Sequence, residues 1–156
     1  MPTEIVIREN NCCLKTDCVL IISFENRNIL TGSHPEGMCI RFNRNDLEIA
    51  YIELKNVKQL TQNIIDDIRA KINNLILSKD GYSPNLVKCR QFANLFKFIS
   101  DLRLRYQNTK LSFYLVLPEG VASTFSKNNS VNRRLRELIM RKVDDLKLIP
   151  CGDHIS

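Results

Sequence analysis

Along the first third of the chain, apolar residues come in short runs. Ile5–Arg8, Cys18–Phe24, Met38–Phe42 and Leu47–Leu54 are rich in Ile, Val, Phe and Tyr, with Asn, Gly, Pro and Ser between them. Such runs bounded by turn formers predict strands, and Glu25–Asn28, Gly32–Pro35 and Asn43–Asp46 predict the turns. Past Lys55 the period lengthens. Leu60, Ile64, Ile68, Ile72 and Leu75 recur at helical spacing, which predicts a helix from Gln59 to Leu77, ended by Asp80-Gly81.

Ser83-Pro84 pairs a capping residue with the proline favoured in a first helical turn, and apolar positions from Val87 to Leu102 extend that second helix to Tyr106. Leu111–Leu117 is nearly continuous in apolar residues, the pattern of a strand covered on both faces. Val121–Asn129, with its Ser, Thr, Lys and Asn, reads as a mobile connection. A third helix, Val131–Val143, is capped by Ser130, and a last strand, Leu146–Ile149, closes the sheet. The order is that of an α/β fold, a mixed central β-sheet flanked by helices. At 156 residues the chain, 1–156, amounts to one domain.

Charge changes this picture in one respect. Residues 1–85 carry 10 Lys and Arg against 11 Asp and Glu, while residues 86–156 carry 13 against 6, so the net charge of +6 belongs to the C-terminal half. The second and third helices hold it: Lys88 and Arg90 on one, Arg133, Arg134, Arg136 and Arg141 on the other. These are the candidate nucleic-acid-binding residues, with ordinary surface pairing to Glu137, Asp144 and Asp145 as the plainer account. No stretch approaches the roughly 18 apolar residues of a membrane span and the N-terminus lacks a signal pattern, so a soluble, cytoplasmic protein is expected. Six cysteines stand at 12, 13, 18, 39, 89 and 151 without a C-x-x-C pair. Cys12, Cys13, Cys18 and Cys39 with His34 form the one candidate zinc set; buried thiols, or disulfides in a hyperthermophile, are the simpler readings.

The chemistry concentrates where two strands meet. With Phe42 opposite Leu47 across the Asn43–Asp46 turn, Met38 faces Tyr51 and Glu36 faces Glu53, and opposed side chains of an antiparallel pair have Cβ atoms roughly 4.5–5.5 Å apart. Glu53 and Lys55, two apart, point to the same side. Two carboxylates that close disfavour joint ionisation unless a cation lies between them, which suits a hard divalent ion such as Mg²⁺. A metal-activated water beside a lysine is suited to phosphodiester hydrolysis. The same register sets His34 opposite Lys55, where a turn histidine is the plainer reading, and Asp66-Asp67 falls on the solvated side of the first helix.

These motifs, Pro35-Glu36 and Glu53-Leu54-Lys55 on a predicted hairpin followed by a helix and a further strand, resemble the PD-(D/E)XK nuclease superfamily, with Glu36 in place of the usual Asp. The resemblance implies a restriction-endonuclease-like fold and a metal-dependent nuclease acting on nucleic acid, with DNA as the expected substrate. It implies Glu36 and Glu53 as ligands of Mg²⁺ or Mn²⁺, the Leu54 carbonyl as a further ligand, and Lys55 as the catalytic lysine. One site per chain is compatible with a homodimer that cuts both strands. A catalytically silent nucleic-acid-binding or protein-interaction module on the same fold is the alternative.

Overall fold

The computed structural model describes residues 3–9, 12–24, 29–106, 108–127, 129–151 and 154–155. The expected turn at 25–28 lies outside them. The chain opens with strands β1 (Thr3–Glu9) and β2 (Cys12–Cys18), followed by β3 (Leu20–Ser23), β4 (Gly37–Asn43) and β5 (Asp46–Leu54). Helix α1 (Gln62–Asn73) comes next, then a small hairpin of β6 (Leu77–Ser78) and β7 (Gly81–Tyr82). Helix α2 (Arg90–Arg105) leads to β8 (Asn108–Leu117), helices α3 (Glu119–Lys127) and α4 (Asn129–Lys142), β9 (Asp145–Pro150) and β10 (His154–Ile155).

Five strands form the central sheet in the order β3-β4-β5-β8-β9, the same order as in the chain. The first three form an antiparallel meander, and β8 and β9 continue parallel to β5. The fold is therefore α/β with a mixed sheet. Across the β4–β5 turn Phe42 faces Leu47 and Met38 faces Tyr51, the register expected from the alternation. Arg44 takes the left-handed conformation in that turn, at φ 58°.

The two faces of the sheet are covered differently. Tyr51, Phe113, Leu115 and Leu117 pack with Ile68 and Ile72 of α1, Phe96 and Ile99 of α2, Phe125 of α3 and Leu135 and Ile139 of α4. The opposite face buries Cys39, Ala50, Ile52, Leu54, Tyr114 and Val116 without any helical residue among those described. There β2 lies against β4 and β8 and pairs with β1 and β10 in a second, three-stranded sheet. The sheet is flanked by helices as expected, and among the described residues they lie on one of its faces.

Other departures have local causes. The first helix stops at Asn73, short of the expected Leu77, because the Tyr51 hydroxyl accepts from the Leu77 N–H at 2.9 Å and donates to its carbonyl at 2.6 Å. Those backbone groups are then lost to a helix, and the segment turns into the β6–β7 hairpin. The second helix begins at Arg90 instead of Ser83. Thr31 N–H bonds to the Leu86 carbonyl and Lys88 N–H to the Ile29 carbonyl, both at 2.8 Å, so the chain between is held extended after a single 3₁₀ turn at Pro84–Leu86.

The expected mobile connection Val121–Asn129 is instead helix α3 over most of its length. Val121, Ala122 and Phe125 bury one side of it, and its first turn closes with the Ala122 N–H on the Pro118 carbonyl. At the end of the chain His154 and Ile155 pair in parallel with β2. Cys18 and Cys39 form a disulfide and Cys151 is disulfide-bonded as well, which removes the candidate zinc set; Cys89 is a free thiol. Among the described residues no helix is long and apolar enough to cross a membrane.

Candidate functional site

The β4–β5 register ends at Gly37 opposite Ile52, and Glu36, one residue before β4, also stands against Ile52. Glu36 donates its N–H to the Ile52 carbonyl at 3.0 Å and accepts from the Phe24 N–H at 2.9 Å, so its backbone is laddered on both sides. Gly37 makes that possible, because a Cβ there would lie 3.0 Å from the Ile22 carbonyl oxygen on β3. The Glu36 carboxylate reaches over the neighbouring strand, where its Oε2 accepts from the Leu54 N–H at 3.1 Å. The Leu54 side chain is buried on the opposite face of the sheet.

Glu53 follows Ile49 and Tyr51 on the helix-covered face and is 0 % exposed. A buried carboxylate is tolerable only with partners, and α1 supplies one. Lys71 Nζ donates to Oε1 at 3.0 Å and lies 2.9 Å from Oε2. The second contact is Coulombic, since its direction fails as a hydrogen bond and leaves Oε2 without a donor. Lys71 also stands 3.4 Å from Oδ2 of Asp67, one helical turn earlier, and that same oxygen receives Lys55 Nζ at 2.6 Å. Lys55 in turn is anchored through its backbone N–H to the Val116 carbonyl of β8.

The electrostatics follow from this packing. Burial pushes the Glu53 carboxyl above its ordinary value of 4.5; Lys71, Lys55 and a hydrogen-bonding contact with Glu36 pull it back only in part. Burial alone would lower the Lys71 ammonium, but Glu53 and Asp67 overcome it and hold it above the ordinary lysine range. Modest burial raises Asp67, but the hydrogen bond from Lys55 and the charge of Lys71 outweigh it and hold its carboxyl below the usual range. Among the described residues the cluster holds three carboxylates and two ammonium groups.

Sequence reasoning and structure thus bring Glu36, Glu53 and Lys55 to one end of the β4–β5 pair. Asp67, expected on the solvated side of the helix, is part-exposed and is also the partner of both lysines, while Asp66 is exposed and bonded to Gln62 at 2.8 Å. Lys71 was overlooked altogether. The signal was present in the i, i+4 spacing of Asp67 and Lys71 beside the buried stripe of Ile68 and Ile72, on the helix that follows β5. His34 stays outside the cluster as described: its Nδ1 lies 3.0 Å from the Pro35 carbonyl oxygen and its ring meets Phe24 edge-on at 5.9 Å.

Beyond the C-terminal ends of β5 and β8 the surface opens into a recess of about 510 Å³ between Asn56, Val57 and Lys58 on one side and Pro118, Gly120 and Val121 on the other. The basic residues lie elsewhere. Arg134 and Arg141 of α4 join Arg69 of α1 around a groove of about 240 Å³ floored by Ile65 and Leu138. Arg133 and Arg136 are exposed on α4, and Lys88 and Arg90 at the start of α2. Of the acids that could pair with them, Asp144 caps the Leu111 N–H at 2.8 Å and Asp145 pairs with Lys110 at 3.1 Å.

Two carboxylates with the Leu54 carbonyl fit Mg²⁺ or Mn²⁺, ions that keep much of their shell as water and substrate phosphate oxygens and need no closed protein cage. That fit rests on the buried Glu53 Oε2, which among the described residues accepts no hydrogen bond and has the Lys71 ammonium 2.9 Å away as its neighbouring cation. Among the described residues no three His, Cys, Asp or Glu side chains converge on one point. No protein-family model, no curated protein and no solved structure matches this chain.

The Lys71–Glu53 pair carries a stability test. Removing one partner of a buried pair strands the other, so Lys71→Met should cost about 3 kcal/mol in urea unfolding at neutral pH, and Lys71→Met/Glu53→Met should recover most of it. The sign with pH follows from the raised Glu53 carboxyl. A group whose folded value exceeds its unfolded one loses stability as pH rises through the folded value, so the deficit of Lys71→Met should narrow on acidification.

Proposed function

We propose that this protein is a metal-dependent nuclease of the PD-(D/E)XK, restriction-endonuclease-like type, hydrolysing phosphodiester bonds of nucleic acid, with DNA as the expected substrate. The observation that carries the reading is the side-chain contact between Glu36, just before β4, and Glu53 on β5, with Lys55 two residues beyond Glu53. The chain order of the sheet supports it, since a hairpin bears the two motifs, a helix follows, and β8 adds parallel to the second hairpin strand. With a nucleic-acid substrate a cytoplasmic setting follows, and the Cys18–Cys39 disulfide is compatible with the interior of a hyperthermophile.

In this reading Glu36, Glu53 and the Leu54 carbonyl hold the ion, and a bound Mg²⁺ or Mn²⁺ supplies Lewis acidity at the phosphate and a water of lowered pKa. Lys55 places a positive charge beside the carboxylates, where charge develops on the phosphate oxygens in the transition state. Asp67, at 2.6 Å, is a positioning residue that holds the Lys55 ammonium in place. Arg69, Arg134 and Arg141 would hold the nucleic-acid backbone at a distance from the reacting centre, on the far flank of α1 from Asp67 and Lys71.

One observation favours a second reading, a catalytically silent nucleic-acid-binding module. Glu53 already has a cation on it, the Lys71 ammonium, which answers part of the need a metal would meet.

Cleavage of single- and double-stranded DNA and RNA in Mg²⁺ or Mn²⁺ separates the two. Nuclease activity abolished in Glu53→Ala, and in Lys55→Ala a fall in kcat with KM nearly unchanged, is the expected result, because a lysine acting on transition-state charge serves the chemical step. Full activity of Glu53→Ala would refute the nuclease site; salt-sensitive binding without cleavage would favour the silent module. For the basic surface, Arg134→Ala/Arg141→Ala should weaken binding of all sequences alike and flatten the salt dependence by roughly one counterion per lost phosphate contact, measured by anisotropy over a salt series.

A further inference from the structure

We infer that Lys71 is the resident counter-ion of Glu53, and that a divalent cation enters the site by displacing its ammonium from Glu53 onto Asp67. The inference rests on the proposed reading of Glu36 and Glu53 as metal ligands and adds the residue that controls their occupation. Its basis is geometric. Lys71 Nζ lies within 3.0 Å of both oxygens of Glu53, the space on the helix side of that carboxylate that an incoming cation must share. Two cations cannot both sit against one buried carboxylate without strong mutual repulsion, so binding of one requires withdrawal of the other.

The surroundings provide a place for the displaced ammonium. Asp67 precedes Lys71 by four residues on α1, the spacing at which an acid and a base on one helix meet, and it already stands 3.4 Å away. Its carboxylate side chain is 40 % exposed and the Lys71 side chain 16 %, so the movement leads from a closed site toward solvent without loss of an ion-pair partner. Lys55 does not play this part: it is held by Asp67 at 2.6 Å, and its backbone is fixed to β8. Asp67 thus has two duties, anchoring one lysine and receiving the other. Lys71 sets a threshold that monovalent ions, with half the charge, do not pass.

The test is Mn²⁺ binding read from the loss of the free-ion electron paramagnetic resonance signal, in the wild-type chain, in Lys71→Gln and in Glu53→Gln. Glutamine keeps a hydrogen-bond donor for Glu53 while removing the charge. Lys71→Gln should bind Mn²⁺ roughly tenfold or more tightly than wild type, and Glu53→Gln should lose binding. Equal or weaker binding by Lys71→Gln, with wild type still binding, overturns the displacement and leaves the metal reading standing. No binding by either folded protein overturns the metal reading itself. If Lys71→Gln is unfolded in metal-free buffer, thermal melts decide: restoration of the fold by Mn²⁺ supports displacement, and failure to restore it makes Lys71 a structural ion-pair partner only.

Discussion

A carboxylate with no exposed surface has to be answered from within, and Glu53 is that group here. It stands at the end of β5 on the face the helices cover, continuing a stripe whose other members, Leu47, Ile49 and Tyr51, are apolar and buried. Burial of an ionised carboxyl is costly without a partner. The position of α1 follows from meeting that demand: Ile68 and Ile72 fill the core, and the next side of the helix brings Lys71 to Glu53 and Asp67 to Lys55. Glu36 completes the group from the neighbouring strand.

The central sheet was legible in the sequence because its signals are local. Alternation in Met38–Phe42 and Leu47–Leu54, with a turn of Asn, Arg, Asn and Asp between, admits one register that buries both stripes, and it holds from Asn43 opposite Asp46 to Gly37 opposite Ile52. The continuous run before Pro118 likewise marked a strand covered on both faces, as β8 is. What escaped depends on contacts distant in the chain. No property of residues 73–77 foretells that the Tyr51 hydroxyl takes both backbone groups of Leu77 and stops the helix. The extended stretch before Arg90 is imposed by residues 29–31, some 55 positions away in the case of Thr31 and Leu86. Helix α3 is a different failure, since Val121 and Phe125 stand at helical spacing and the polar residues between them hid it. In the candidate site the carboxylates and Lys55 were readable from strand geometry, whereas Asp67 and Lys71 needed the docking of α1.

The basic half of the chain and the carboxylate cluster sit on different flanks of one helix. Asp67 and Lys71 turn toward β5; Gln62, Ile65 and Arg69 turn toward α4 and its arginines. A polyanion held by that groove would reach the carboxylates only by passing over α1 or its ends. The disulfide-bearing face of the sheet, covered by β2, lies away from both.

The central claim is that Glu36 and Glu53 form a site for a divalent cation, and a crystal structure determined in Mn²⁺ with anomalous scattering tests it most directly. An anomalous peak about 2.0–2.3 Å from carboxylate oxygens of both glutamates, with the Lys71 ammonium withdrawn toward Asp67, is the result this account predicts. Absence of a peak there at saturating Mn²⁺, with Lys71 still seated on Glu53, would contradict it.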